Sequence, residues 1–228
     1  MAEGYQTDEQ QIEELRKWWA ENGKSIIIAI VVAVAGVFGW QGYQKKQQAE
    51  QAEASAVYQN MLTAAHGANG QPTPEQLTTA KHLADTLKQE HPDSTFAQFA
   101  ALYKAQFAVG DKDLDAAAKE LNWVLDRAEL PEIKIQARLR LARVLAAGGK
   151  YDEALAQLQG DNESYAASYE EARGDIYRAR GDNEKALTAY QSAMDINSKA
   201  DEPVHNRLLE IKLEQTRSSL GVDATKDA

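Results

Sequence analysis

The sequence predicts an all-α chain in which one membrane-crossing helix near the start is followed by an array of helix-turn-helix repeats. Three observations carry this. From Ser25 to Gln44 no charged side chain occurs, with an unbroken apolar run from Ile26 to Trp40. The composition is rich in Ala, Gln, Glu, Leu and Lys, with only 5 Pro and 4 Phe, and long stretches lack the β-branched alternation that strands need. Behind the apolar run, a small residue, a glycine turn and an acidic helix start recur at regular spacing. Roughly 185 residues follow the run, enough for one domain with a real core.

Taken in chain order, Thr7 and Gln10 have the spacing of a capping box, so TDEQ reads as a helix start. Ile12, Leu15, Trp18 and Trp19 then share one face. Such a helix would lie along the cytoplasmic surface with its Trp face in the interfacial zone and end at Asn22-Gly23, where glycine tolerates the left-handed cap. The span 25–44 follows: about 20 residues at ~1.5 Å rise match a ~30 Å hydrocarbon core. Trp40 and Tyr43 mark one interface; Trp18, Trp19 and Lys24 mark the other. Ala33-Val34-Ala35 has the form of a signal-peptide cleavage site, but the apolar run continues past it and an acidic 24-residue leader is a poor n-region. Ala35 and Gly39, four apart with Gly42 near the same face, would let a second membrane helix approach closely. Arg16, Lys17 and Lys24 against Lys45 and Lys46 give a positive-inside count too even to orient the chain. A long domain behind a first apolar segment is translocated largely regardless of charge, so a cytoplasmic tail and an exported domain are expected.

The helix from Lys45 to His66 has a core face only in its second half, at Val57, Met61, Ala64 and Ala65, and reads as a stalk that becomes the first repeat helix. Gly67 to Pro74 is a turn by content. The clearest repeats are Leu139 to Leu158 and Glu171 to Ile196. Each has a small residue (Ala142, Gly174), a turn glycine (Gly149, Gly181) and an Ala-Leu pair (Ala154-Leu155, Ala186-Leu187). Fainter copies put Ala80 and Ala117 in the same role, with one irregular turn at Gly110 to Leu114. From Ala80 to Ala117, Ala154 and Ala186 the spacings are 37, 37 and 32 residues, near the ~34-residue tetratricopeptide period. The sequence thus resembles a tetratricopeptide-type array, although it lacks a Trp at the usual early position and has one terminal Pro among the copies. Val204 to Thr216, with Leu208, Leu209, Ile211 and Leu213, should cap the open end, and Gly221 to Ala228 reads as a disordered tail. The expected organisation is therefore 1–24 tail, 25–44 membrane helix, 45–220 repeat domain and 221–228 tail.

Signals for chemistry are weak. A net charge of -10 with scattered cations offers no basic stripe for nucleic acid, and the absence of Cys removes disulfides and thiolate chemistry. His66, His82, His91 and His205 have no metal-ligand spacing, so no metal or cofactor is expected. His91-Pro92-Asp93 copies the tripeptide of Hsp40-type J-domains, but here Pro92 ends a repeat helix and Asp93 or Ser94 caps the next. No phosphate loop or nucleophile elbow occurs, so an enzyme is not expected. In stacked helical pairs the first helices present side chains to a partner, which makes Gln106, Leu139, Arg143, Glu171, Asp175 and Arg178 the candidate protein-binding groove. Their mixed charge makes no single-signed clamp for a C-terminal carboxylate.

Glu9 to Ser25 (EQQIEELRKWWAENGKS), the apolar run, Gly39-Trp40, the repeats and Glu210 to Thr216 (EIKLEQT) closely resemble the YfgM-like family, ancillary subunits of the bacterial Sec translocon. The resemblance covers almost the whole chain. It implies a cytoplasmic N-terminus, a periplasmic repeat domain in the inner membrane of a Gram-negative-type bacterium, and help to newly exported polypeptides. It also implies association with SecYEG and with a membrane-anchored periplasmic peptidyl-prolyl isomerase. An envelope or cell-wall scaffold of the same topology, and a cytoplasmic-side adaptor of the opposite topology, are the alternatives from the residues alone.

Overall fold

The computed structural model describes residues 8–67, 70–160, 165–200 and 206–221. Thr7 of the expected capping box, Val204, His205 and residues 222–228 lie outside them. Regular structure among the described residues is helical, with no strand: α1 (Asp8–His66), α2 (Pro74–Glu90), α3 (Thr95–Gly110), α4 (Leu114–Arg127), α5 (Pro131–Ala147), α6 (Tyr151–Gln157), α7 (Ala166–Arg180), α8 (Asn183–Ser198) and α9 (Arg207–Ser219). The chain divides into two units, one ending at Glu53 and the other beginning at Ala54.

The first unit contains the part of α1 that is long and apolar enough to cross a membrane. None of that apolar window is buried against protein. Ile28, Val32, Phe38 and Trp40 are all exposed, with no protein packed over them. The expected break at Asn22-Gly23 does not occur, because α1 runs through both residues. The Asn22 side-chain amide donates to the Trp18 carbonyl at 3.0 Å, and a Cβ at Gly23 would stand 3.1 Å from the Trp19 indole. Gly23 is thus the residue over which the Trp19 ring lies, and its backbone stays helical.

The second unit is a succession of helix pairs. Ala80, Ala117, Ala154 and Ala186 are completely buried, as contact points between close helices require. Gly149 (φ 76°) and Gly181 (φ 91°) take the left-handed conformation five residues before Ala154 and Ala186. At the irregular turn, Lys112 takes the same conformation (φ 63°) five residues before Ala117. The turn is therefore repeated in geometry without its glycine, at a cost of about 1–2 kcal/mol for a residue with a Cβ. Thr73 closes a capping box with Gln76 at the start of α2, and the Ser94 hydroxyl accepts from the Ala97 amide to cap α3. His91 is the C-cap of α2, so the His-Pro-Asp tripeptide is a helix-helix connection.

Cores pass from pair to pair. Met61, Ala84, Leu87 and Ala97 join the end of α1 to α2 and α3. Leu121, Val124, Ala137 and Leu141 join α3, α4 and α5. Leu139, Ala154, Leu158, Tyr169 and Ile176 join α5, α6 and α7, and Tyr190, Ala193 and Leu209 tie α8 to α9. Among the described residues one charged group enters this interior: Glu120, 9% exposed, pairs with Lys104 at 3.0 Å and with Lys88, while Lys104 also meets Asp85. Lys88 and Arg127 flank the Trp123 ring, 4.8 and 4.6 Å from its centroid.

Candidate functional site

The site begins with α5, which buries two faces. Ile133, Ala137, Leu141 and Val144 recur every three or four residues and pack toward α4, while Leu139 and Ala142 pack toward α6 and α7. Arg138 is exposed as well, but the residues of α5 that border the depressions between it and α3 form the row Gln136, Arg140, Arg143 and Ala147, with Gln136 half-buried. Opposite stands α3, whose Leu102, Ala105 and Ala108 are buried while Gln106 and Val109 stay exposed.

Between the two helices lie two open depressions. One, of about 370 Å³, has a floor of Leu102, Ala105, Leu121 and Val144 and a rim of Gln106 and Arg143. The other, of about 550 Å³, is lined by Tyr58, Phe99, Tyr103 and Tyr165 over Leu102 and Ile133. Its aromatic wall is held by ring contacts: Tyr58 lies 6.1 Å from Phe99 and 5.5 Å from Phe96, and Tyr103 lies 6.2 Å from Phe107. Burial raises the Tyr58 hydroxyl above its ordinary pKa, with the nearby Tyr103 adding to the effect. Leu102, Gln106 and Arg140 line both depressions and make them one groove. Among the described residues neither Arg140 nor Arg143 forms an ion pair.

Of the residues expected at the groove, Gln106 and Arg143 line the same depression. Leu139, 4% exposed, is in the core between α5 and α7 and offers nothing to a groove. Its neighbour Arg140, which the sequence reading passed over, holds the central position. The signal was available: 136, 140, 143 and 147 are the only i, i+4, i+7, i+11 row on α5 that lacks large apolar residues.

Glu171, Asp175 and Arg178 form a separate patch on α7, and α9 already engages it. Lys212 reaches Glu171 at 2.7 Å and Asp175 at 2.8 Å, Asn206 donates to Glu171 at 3.2 Å, and Arg178 donates to Gln215 at 3.4 Å. Asp175 also accepts from the Tyr190 hydroxyl at 2.8 Å. The two carboxylates thus hold the final helix against α7. Leu208 and Ile211 of α9 remain exposed. In the first unit, Ala35 and Gly39 sit on an exposed helical face, and a Cβ at Gly39 would meet nothing within 4 Å. No cluster of His, Asp and Glu able to hold a metal occurs among the described residues.

Residues 16–218 match a tetratricopeptide repeat-like domain. A Haemophilus influenzae protein named "Ancillary SecYEG translocon subunit" is 33% identical over 86% of this chain and 92% of its own length. Proteins of the same name from Escherichia coli K12 and Neisseria gonorrhoeae are each 28% identical, covering 83% and 92% of this chain and 88% and 97% of their own. With that domain spanning most of the sequence and a relative at 33% identity aligned nearly end to end, the chain belongs to the YfgM-like family of tetratricopeptide repeat-like proteins.

Proposed function

We propose that this protein is a non-enzymatic, membrane-anchored accessory of Sec-dependent protein export. The observation that carries this reading is the near full-length likeness to proteins named as ancillary subunits of the SecYEG translocon. In the proposed arrangement residues 1–24 stay in the cytoplasm, 25–44 cross the inner membrane, and the repeat domain, 45–220, stands on the periplasmic side. Ala35 and Gly39 form the contact with a translocon helix. The repeat domain engages a membrane-anchored periplasmic peptidyl-prolyl isomerase, emerging polypeptides, or both. Gln106 and Arg143, joined by Arg140, are the favoured contact residues; Glu171, Asp175 and Arg178 would contribute only where the cap helix leaves them open. Such a role needs affinity and position rather than bond-making groups. Tethering beside a channel raises the effective concentration of the domain, so a weak groove suffices to capture a chain as it emerges.

Affinity purification of the full chain from gently solubilised membranes tests this reading. Recovery of SecY, SecE and SecG at levels well above an unrelated single-pass control is expected. The Ala35→Leu, Gly39→Leu pair should still insert but recover less of them. Recovery of cell-wall enzymes without any translocon subunit would overturn the assignment in favour of an envelope scaffold. Protease added outside spheroplasts should digest the repeat domain; survival of the domain beside a digested periplasmic control would reverse the topology.

A further inference from the structure

We infer that the groove between α3 and α5 takes an extended, internal stretch of unfolded polypeptide carrying two bulky apolar or aromatic side chains at positions i and i+4 beside an acidic residue. The inference rests on the protein-binding role proposed above and names the kind of chain that the groove prefers.

Length comes first. From Phe99 at the aromatic end to Val109 at the aliphatic end the groove follows ten residues of α3. At ~1.5 Å per helical residue this is about 15 Å. An extended chain advances ~3.3 Å per residue, so four steps span the two depressions. In an extended chain residues i, i+2 and i+4 face the same side. Two large side chains then drop into the two depressions while a residue between them passes over Leu102 and Gln106. Each depression has room for a bulky side chain, and Arg140 borders both. That pattern suits separate side chains from an extended strand better than the continuous ridge of a helix.

Charge decides the rest. The chain as a whole carries a net charge of -10, yet Arg140 and Arg143 stand exposed on the groove with no acidic partner among the described residues. Among the described residues lining the groove the one acid, Glu132, lies at the aromatic end. A bound segment is therefore favoured when its carboxylate sits at the aliphatic end, where an arginine can make a bidentate contact. The carboxylate is one within the segment, because both arginines lie along the groove wall.

The test uses the full chain in detergent micelles and fluorescein-labelled, amidated twelve-residue peptides read by anisotropy. One peptide carries Phe at i and i+4 with Asp beside the second; the others replace Asp by Lys, or both Phe by Ala. Binding of the Phe/Asp peptide about tenfold tighter than the Phe/Lys peptide is expected, with the Ala peptide not saturating. The Arg140→Glu, Arg143→Glu pair should invert the acid-base preference while keeping the thermal midpoint. Gln157→Glu, away from the groove, should leave it intact. Equal affinity for the acidic and basic peptides, or an unchanged preference in the arginine variant, would overturn the inference. So would a concentration-dependent dimer, seen by sedimentation equilibrium, that the arginine variant abolishes, because a second copy would then be the occupant. Translocon recovery is measured on the same arginine variant. Retained recovery with failed peptide selectivity sinks this inference alone, whereas failed recovery of the unaltered chain sinks the export role.

Discussion

Gly174 lies buried within α7, directly against the Tyr190 ring of α8. A Cβ built there would stand 2.4 and 2.5 Å from two Tyr190 ring carbons, against an ordinary carbon-carbon contact of ~3.5–4 Å. The Gly174→Ala change therefore forces the ring to retreat by about 1 Å. It cannot move into open space, because Tyr190 is fully buried against Ala186, Ala193 and Leu209. Overpacking of this kind costs about 1–3 kcal/mol. Displacing the hydroxyl from Asp175 removes a 2.8 Å hydrogen bond worth about 0.5–1.5 kcal/mol. Against this, alanine gains about 1 kcal/mol over glycine in a helix interior. The net loss is about 1–3 kcal/mol, and at ~2–4 °C per kcal/mol for a domain of this size the thermal midpoint should fall by about 2–12 °C. Circular dichroism of the full chain in detergent reads this directly. A Gly174→Ala, Tyr190→Leu double variant should lose at least about 1 kcal/mol less than the two single losses combined. A midpoint unchanged or raised in Gly174→Ala would refute the packing account of this helix pair.

Three further outcomes follow from the geometry. Lys112→Gly relieves a left-handed conformation costing about 1–2 kcal/mol and gives back about 0.5–1 in chain entropy, so the urea midpoint should rise by the equivalent of about 0.5–1 kcal/mol; a fall would contradict the turn assignment. Glu120→Ala leaves Lys88 without its carboxylate and Lys104 with Asp85 alone in a largely buried site, and urea denaturation should show a loss of about 3 kcal/mol. Tyr190 is held well above the ordinary tyrosine range, by burial first and then by its hydrogen bond to Asp175. Because its folded value is raised, the stability it contributes is complete below about pH 10 and is lost as pH rises toward the folded value. Urea midpoints measured between about pH 8 and 11 should fall at the alkaline end, with a shallower fall in Tyr190→Phe.

The repeat class was legible because its determinants are local. Small residues at Ala80, Ala117, Ala154 and Ala186 and the turns at Gly149 and Gly181 report a spacing that one sequence displays by itself. Lys112 hid a turn of the same geometry, since its backbone is dictated by the packing of α3 against α4 rather than by its side-chain type. Gly23 misled in the opposite direction: glycine before an apolar run suggests a helix end, whereas here it makes room for Trp19. On α5 the difficulty was a helix buried on two sides. A single-faced reading assigns Leu139 to the groove, whereas α4 on one side and α6 with α7 on the other bury it and leave Arg140 and Arg143 on the row that lacks large apolar residues. The ties from Lys212 to Glu171 and Asp175 cross 41 and 37 residues of sequence, so no local pattern announces that these acids serve the cap helix.

The central claim is that an anchored repeat domain meets polypeptides as they leave the translocon, and crosslinking within translocating membranes tests it most directly. A photoreactive residue replaces Gln106 or Arg143 in the groove, or Gln157 or Lys185 away from it, in membranes holding an arrested export intermediate. The account predicts adducts to the exported chain from 106 and 143 and only background from 157 and 185. Equal labelling from all four positions, or none from the groove in a domain that melts normally while SecY is recovered, would contradict it.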